Sequence, residues 1–145
     1  MLVLVVDVAN VMGSRPDGWW RDRSGAATRL MTSLVPLIAV DVVVPSSAVS
    51  PSSPSAPESP SAPESAVRID RIVAVVEGRA RTASAPPELE VVLAPADGDT
   101  SIVEVAERVR ADGDVPLVVT ADRGLRARLP SGTRIAGPGW LLGLL

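Results

Sequence analysis

Short apolar runs rich in β-branched residues recur along the chain and predict β-strands. Leu2–Val6 is continuous and apolar, which is typical of a strand that is buried on both faces of a sheet. Four later runs have a similar character and predict strands at Val67–Val76, Leu89–Leu93, Leu117–Thr120 and Thr133–Ala136. The apolar segment Leu37–Val44 fits either an extra strand or an irregular segment, and the pattern leaves both open.

Apolar residues at helical spacing predict a first main helix after a loop. Asp22 or Ser24 is a suitable N-cap for this helix, and Pro36 is expected to limit its end. Its apolar positions are Ala26, Ala27, Leu30, Met31 and Leu34. The segment between the first strand and this helix is expected to be a loop, because it contains Gly13, Pro16 and Gly18.

A second main helix is expected over Ser101–Ala111, with Asp99 or Thr100 as its N-cap. Its buried face would consist of Ile102, Val105, Ala106 and Val109. A short helix is expected after Gly124. Because strands alternate with helices, the sequence predicts an α/β fold in which a mostly parallel sheet is sandwiched between helices.

Residues 45–66 interrupt this pattern with a stretch rich in serine and proline. The hexad Pro-Ser-Ala-Pro-Glu-Ser occurs twice in tandem, at 54–59 and 60–65. So much proline disfavours a helix or an internal strand, and the segment has little apolar surface to bury. We therefore predict a single domain over residues 1–145 with a disordered insertion at 45–66 in a surface loop. A proline-rich docking ligand is the alternative interpretation.

The residue types that are missing restrict the available chemistry. The chain has no Cys, His, Tyr or Phe, and it lacks Lys and Gln, so all 14 basic residues are Arg. These absences exclude a Ser-His-Asp triad, a cysteine nucleophile, the usual zinc sites, a Walker A loop and a Schiff base. Carboxylates, hydroxyls, one amide and arginine remain. An enzyme of this composition would therefore draw on oxygen-ligated Mg²⁺ or Mn²⁺.

The chain shows no segment that predicts a membrane or secretory location. No apolar run approaches the roughly 18 residues that a membrane helix needs. Met1–Val6 is apolar, but Asp7 ends this run and no basic segment precedes it, which argues against a signal peptide. Since cysteine is also absent, we expect a cytoplasmic protein without a membrane partner.

An acidic residue stands at or just after the end of four predicted strands. These residues are Asp7, Glu77, Asp99 (with Asp97 beside it) and Asp122. Ligands of open parallel sheets bind at the carboxyl ends of the strands, so we expect these carboxylates at one edge. A divalent cation would relieve their mutual repulsion. The alternative is that each acid only caps a helix or turn.

Polar residues cluster next to these acids. Asn10, the single asparagine, would orient Asp7, contact a phosphate or simply occupy a turn. Arginines follow three of the acids, in the groups Arg15, Arg21 and Arg23, then Arg79 and Arg81, then Arg123, Arg126 and Arg128. They would either surround a bound phosphate or form ordinary surface ion pairs, and both interpretations stay open.

The three tryptophans are the only aromatic residues of the chain. Trp19 and Trp20 would stack a nucleobase or pack against the core, and packing is expected for at least one of them. Trp140 is expected to plug the core near the C-terminus. If the apolar tail around it were exposed, it would form a homodimer contact.

Four short motifs resemble, in order, those of NYN-domain proteins, which belong to the PIN-like nuclease superfamily. They are Val-Val-Asp-Val-Ala-Asn at 5–10, Val-Val-Glu-Gly at 75–78, Asp-Thr-Ser-Ile-Val-Glu at 99–104 and Val-Val-Thr-Ala-Asp-Arg-Gly-Leu at 118–125. The segment Gly-Trp-Trp-Arg-Asp-Arg at 18–23 is similar to actinobacterial members. The resemblance spans nearly the whole chain outside the Ser/Pro-rich insertion.

This resemblance implies a Rossmann-like three-layer PIN fold and a hydrolase that cleaves RNA with Mg²⁺ or Mn²⁺. Asp7, Asp99 and Asp122 would be catalytic and, together with Glu77, would bind the metal. The resemblance also places Asn10 and Thr120 at the substrate-binding site. From the position of the arginine groups we expect Arg15, Arg21, Arg79 and Arg123 to bind substrate as well. Glu77 and Thr100 depart from the pattern, because relatives often have aspartate at both positions.

Two other functions remain open beside an RNA-cleaving enzyme. Hydrolysis of nucleotide phosphoanhydrides, as in a nucleotide pyrophosphohydrolase, would use the same ligands and differ only in the shape of the pocket. A catalytically weak module that binds RNA or protein would keep the fold without turnover. The two departures at Glu77 and Thr100 keep this last alternative open.

Overall fold

The computed structural model describes residues 1–15, 18–44, 66–95 and 97–145, without the side chain of Arg79. The strands in these ranges are β1 Leu2–Asp7, β2 Asp41–Val43, β3 Ala66–Val76, β4 Glu90–Leu93, β5 Val115–Val119 and β6 Arg134–Ala136. The α-helices are α1 Val8–Gly13, α2 Arg23–Leu34, α3 Gly98–Ala111, α4 Arg123–Arg128 and α5 Pro138–Leu142. Short 3₁₀ helices cover Trp19–Arg21, Val35–Leu37 and Gly78–Thr82.

The sheet is mostly parallel, and β1 lies at its centre. β1 pairs in parallel with β3 on one side and with β5 on the other. β4 and β6 continue the parallel order outward from β3 and β5. The long strand β3 also pairs antiparallel with β2, where Val43 lies opposite Ala66. The predicted α/β fold with a mostly parallel sheet is therefore confirmed, and Leu37–Val44 contains a short antiparallel strand.

Helices cover both faces of the sheet. All six residues of β1 are buried, and their side chains alternate between the two faces. Leu2, Leu4 and Val6 pack in one cluster with buried residues of α1, α2 and α5. Val3 and Val5 pack in the other cluster with buried residues of α3 and α4. This arrangement is the three-layer sandwich that the alternating pattern predicts.

The predicted loop after the first strand is partly wrong, because α1 follows β1 directly. Its buried residues Val8, Val11 and Met12 lie on one helical face. Asp7 caps this helix, and its Oδ1 accepts a hydrogen bond of 3.3 Å from the backbone N–H of Asn10. The apolar spacing was therefore present in the sequence, but six residues are too few to stand out beside a glycine- and proline-containing loop.

The two main helices begin with aspartate caps. Asp22 caps α2 by accepting from the backbone N–H of Gly25 at 2.9 Å, as predicted. The N-cap prediction for the second main helix is wrong, because Asp97 and neither Asp99 nor Thr100 caps α3. The Asp97 carboxylate accepts from the backbone N–H of Thr100 at 2.9 Å, so the helix begins at Gly98. Asp99 therefore lies in the first turn and has no capping role.

The predicted insertion at 45–66 lies outside the described residues except for Ala66, which begins β3. Trp140 is partly buried against the core, and its Nε1 donates to the Val43 carbonyl at 2.9 Å. Within the described ranges, no helix combines the length and apolar character needed to cross a membrane.

Candidate active site at the carboxyl edge of the sheet

The strand register gathers acidic residues at one edge of the sheet. Asp7 is the last residue of β1 and lies opposite Val75 of β3, so Glu77 follows β3 at the same edge. Thr120 follows β5 directly, next to the pair formed by Val6 and Val119. Since these strands are parallel, their carboxyl ends point the same way. The N-termini of α3 and α4 bring Asp99 and Asp122 to this edge, which we call the acidic edge.

Asp7 is buried and held at both carboxylate oxygens. The residue is only 7% exposed. While Oδ1 caps α1, Oδ2 accepts a hydrogen bond of 3.2 Å from the hydroxyl of the fully buried Thr120. The same hydroxyl accepts from the backbone N–H of Asp122 at 3.1 Å. The Thr120 hydroxyl is therefore buried and bonded to Asp7 and to the Asp122 backbone, so it orients the Asp7 carboxylate.

Burial is the largest influence on the acidity of Asp7. Burial raises the pKa of this carboxyl and outweighs the two hydrogen bonds, which lower it. The negative charges of Asp99 and Glu77 also raise the pKa, and the net result is a value of about 6 instead of 3.8. Asp7 is thus a buried carboxyl that faces other carboxylates, an arrangement that a nearby cation would stabilise.

Asp99 is partly exposed, and its side chain makes no hydrogen bond or ion pair within the ranges that the structure describes. Partial burial raises its pKa, and the charges of Asp122, Asp97 and Glu77 raise it further. Arg128 acts in the opposite direction and lowers the pKa of Asp99. Asp99 is thus within electrostatic reach of the other three acids at this edge, Asp7, Glu77 and Asp122.

The other two members of the acidic edge bind helix N-termini. Glu77 accepts a short hydrogen bond through Oε2 from the backbone N–H of Gly98, at the start of α3. Asp122 caps α4 through Oδ1, which accepts from the backbone N–H of Leu125 at 3.1 Å. The capping interpretation therefore holds for Asp7 and Asp122, and the second oxygen of Asp122 takes no part in its cap.

The donor types at the acidic edge fit a hard divalent cation, since carboxylate oxygens are the preferred ligands of Mg²⁺ and Mn²⁺. In the portion of the chain that the structure describes, however, no three acidic side chains lie close enough together to hold an ion where they now stand. Mg²⁺ usually binds through one or two carboxylates together with waters and substrate phosphates, so a cluster of three is not required. Asp99 is the member of the acidic edge whose carboxylate no hydrogen bond to the described residues restrains.

The predicted substrate-binding residues lie around the acidic edge in different environments. The Oδ1 atom of Asn10 accepts from the backbone N–H of Ala121 at 2.9 Å, so this side chain ties α1 to the segment after β5. Arg15 is partly buried after α1, whereas Arg21 and Arg123 are exposed. The side chain of Arg79 lies outside the described part. No ion pair among the described residues joins an arginine to a member of the acidic edge.

Two arginines of α4 have a larger structural role than the sequence suggested. Arg126 donates through Nη2 to the carbonyl of Thr120 at 2.9 Å, and its buried Nε has no partner among the described residues. Arg128 donates to the hydroxyl of Thr100 at 3.3 Å, which places its charge near Asp99. Sequence reasoning grouped both with Arg123 after Asp122, but it could not tell which side chains turn toward the site.

Comparison with solved structures finds the same fold in Rae1 (YacP) from Bacillus subtilis, whose crystal structure is that of a point mutant. The TM-score is 0.63, and the match covers 99% of this chain and 74% of that chain at 14% sequence identity. At this identity the likeness shows the fold alone, which is NYN/PIN-like. No family model matches the sequence, and no curated protein matches it either.

Proposed function

We propose that this chain is a metal-dependent ribonuclease, a hydrolase related to the actinobacterial NYN-domain proteins that it resembles. The observation that most supports this proposal is the gathering of Asp7, Glu77, Asp99 and Asp122 at the acidic edge. Burying the charged Asp7 carboxylate among like charges is unfavourable, and a bound cation would offset this cost. Such unfavourable arrangements are typical of functional sites. The shared fold is compatible with the proposal and does not carry it alone.

The four acids have two roles in this proposal, catalysis and metal binding. Asp7, Asp99 and Asp122 are the catalytic carboxylates, and together with Glu77 they hold Mg²⁺ or Mn²⁺. When bound, such an ion supplies an activated water and neutralises charge on the phosphodiester. Thr120 keeps the Asp7 carboxylate in one orientation.

The RNA backbone is bound by groups around the acidic edge. Arg15, Arg21, Arg79 and Arg123 are proposed to contact phosphates, for which the planar guanidinium is well suited. Asn10 is proposed to donate from its amide group to the phosphate, because its Oδ1 is already bonded to Ala121. The net charge of −3 favours such local contacts over a broad electrostatic surface.

Cleavage of end-labelled single-stranded and structured RNA with Mg²⁺, Mn²⁺ or EDTA tests this proposal. The wild type is compared with Asp7→Asn and Asp122→Asn. Glu107→Gln is the matched control, since it removes one negative charge from an exposed position of α3. We expect metal-dependent cleavage by the wild type and the control, and at least a hundredfold loss in both aspartate variants, on the order of the effects in other sites built on charge stabilisation.

A thermal shift with Mn²⁺ accompanies the cleavage assay. Ligand binding to the folded state raises the melting temperature, so Mn²⁺ should stabilise the wild type and the control more than Asp7→Asn. If the folded wild type binds Mn²⁺ but cleaves no RNA, the ribonuclease proposal is overturned. Hydrolysis of nucleoside triphosphates would then identify a pyrophosphohydrolase, and RNA binding without cleavage would identify a binding module.

A further inference from the structure

A cavity of about 340 Å³ lies directly beside the acidic edge. Its lining includes Ala9 and Met12 of α1, Trp19, Arg23 and Glu77. Glu77 thus belongs to both the cavity and the acidic edge, so a group in the cavity lies next to anything held by the carboxylates. The volume falls at the lower end of the roughly 300–1,000 Å³ that is typical of small-ligand sites.

Two flat side chains of this cavity form surfaces on which a planar ring can stack. Trp19 is partly buried and packs against the core, which confirms that at least one tryptophan of the pair packs. The Arg23 guanidinium carbon lies 5.6 Å from the centroid of the Trp19 ring. Trp20 contacts the same ring edge-on, with centroids 6.1 Å apart and an interplanar angle of 88°. These contacts hold the indole in place before any ligand binds.

The charges of the cavity favour a neutral ligand over a second phosphate. Arg23 forms no ion pair in the described part of the chain, so it can approach a ligand. The Glu77 carboxylate would repel a phosphate that entered the cavity, but it can accept hydrogen bonds from the N–H groups of a base. Ala9 and Met12 form an apolar part of the cavity wall. A flat, uncharged ring with polar N–H groups at its edge satisfies all these features.

We infer that this cavity binds one nucleobase of the RNA, next to the phosphodiester at the acidic edge. The inference rests on the proposed ribonuclease function, because it assigns a base-binding site to the same substrate. Bases stack on aromatic rings and on guanidinium planes in sites for single-stranded nucleic acid. Trp19 and Arg23 are therefore specificity-determining residues for the nucleotide beside the cleaved bond.

Binding of small nucleotides without metal tests the inference separately from cleavage. The probes are the four nucleoside 5′-monophosphates, and ribose 5-phosphate is the control that lacks a base. Affinities of the full chain are measured in EDTA by NMR titration. We expect at least one nucleotide to bind about tenfold or more tightly than ribose 5-phosphate, since base–aromatic stacking corresponds to roughly 5- to 150-fold in affinity.

Four variants connect that binding to the cavity. Trp19→Leu removes the stacking face and should weaken the preferred nucleotide about 5- to 150-fold, whereas Trp19→Phe should retain part of the affinity. Glu107→Gln is the control, because Glu107 is exposed on α3 and does not line this cavity. Ala9→Leu fills the cavity and leaves Trp19 itself unchanged, so it keeps the test valid if Trp19→Leu does not fold.

The inference is overturned if nucleotides and ribose 5-phosphate bind equally to the wild type. It is also overturned if the folded Ala9→Leu variant and any folded Trp19→Leu variant bind within about twofold of the wild type. These outcomes differ from a failure of the proposed function, which is an absence of RNA cleavage in the presence of Mg²⁺ and Mn²⁺. Base binding in EDTA without cleavage would support the cavity and overturn only the ribonuclease.

Discussion

Asp7 illustrates how one residue can stabilise a local structure and still oppose folding when it is charged. Its carboxylate caps α1 and accepts the Thr120 hydrogen bond, and both contacts favour the ionised form. Burial opposes these contacts and has the larger effect, so the pKa rises from 3.8 to about 6. A protein gains nothing in stability from this arrangement, and such sites are typical of functional positions.

The first prediction concerns Asp7→Asn in metal-free buffer. Because the folded-state pKa exceeds the unfolded value, the native state binds the proton more tightly. The contribution of Asp7 to the free energy of unfolding is therefore greatest below pH 4 and falls as the pH rises to about 6. We expect Asp7→Asn to raise the free energy of unfolding by about 1–3 kcal/mol at pH 8.

Urea denaturation in EDTA at pH 8 and pH 3.5 measures this effect. The difference between variant and wild type should nearly disappear at pH 3.5, where the Asp7 carboxyl is protonated in the folded state and mostly protonated in the unfolded state. Glu107→Gln, at an exposed position, should change little at either pH. If Asp7→Asn changed the free energy of unfolding equally at pH 8 and pH 3.5, the change could not arise from ionisation of the Asp7 carboxyl.

A second prediction uses two buried threonines with different hydrogen bonding. Thr120 and Thr133 are both fully buried. Thr120 bonds to Asp7 and Asp122, whereas the Thr133 hydroxyl has no partner among the described residues. Thr120→Val should lower the free energy of unfolding by about 1–3 kcal/mol, and Thr133→Val should leave it unchanged or raise it. Urea denaturation measures both variants. Equal losses in the free energy of unfolding would mean that replacing the hydroxyl by a methyl group acts through packing and not through hydrogen bonds.

At the scale of elements, short helices at the acidic edge depend on their caps. α1 and α4 have six residues each, too few to be stable as isolated helices. Asp7 and Asp122 begin them, and tertiary packing of their buried residues supplies the remaining stability. The acids of the site are thus also the residues that start the helices beside it.

A third prediction concerns the cap of α2. Asp22 accepts from the Gly25 backbone, and a Cβ atom added at Gly25 would clash with Asp22 Oδ2. Gly25→Ala should therefore displace the cap and destabilise the protein, although alanine ordinarily stabilises a helix by about 0.5–1 kcal/mol. Asp22→Ala alone should cost about 0.5–2 kcal/mol.

The double variant distinguishes this clash from other causes. Once Asp22 is alanine, Gly25→Ala no longer meets a carboxylate and should become stabilising. A double-mutant cycle by thermal denaturation should thus show strong non-additivity. Additive losses would show that Gly25→Ala acts without Asp22.

Sequence periodicity predicted the long elements better than the short ones. The strand Val67–Val76 and the helix Ser101–Ala111 each extend over enough residues for their pattern to stand out, and β3 and α3 match them closely. α1 was missed because its apolar residues make a single helical repeat. The start of α3 was misplaced because several polar residues precede it, and only the backbone geometry selects Asp97 as the cap.

At the scale of the whole molecule, strand order decides which acids meet. β3, β1 and β5 are adjacent, so the ends of these three strands bring together Glu77, Asp7 and Thr120. These residues are far apart in the chain, and their sequence positions alone do not specify the order of the strands. A different order of the same strands would have separated the carboxylates.

A fourth prediction concerns the connection between β2 and β3. Val43 lies opposite Ala66 in an antiparallel pair, so the ends of residues 45–65 are attached to neighbouring strands. A short Asn-Gly hairpin turn in place of these 21 residues should preserve the fold. The shorter loop costs less entropy to close, which should raise the free energy of unfolding by about 2 kcal/mol.

Thermal denaturation and the RNA cleavage assay measure the result of this deletion. Unchanged cleavage with equal or higher stability is the expected outcome. A loss of more than about 2 kcal/mol would indicate that the deleted segment makes stabilising contacts. Loss of cleavage in a stable protein would assign the segment a part in RNA binding.

The amino-acid sequence by itself determined the fold class, the principal strands and helices, and the acidic character of the strand ends. These properties depend on local periodicity and residue type, which a single chain displays directly. Only the tertiary structure decided that Thr120 orients Asp7, that Asp97 and not Asp99 caps α3, and that Trp19 and Glu77 line one cavity. Such relations arise from strand order and side-chain packing between distant segments, and local patterns do not record either.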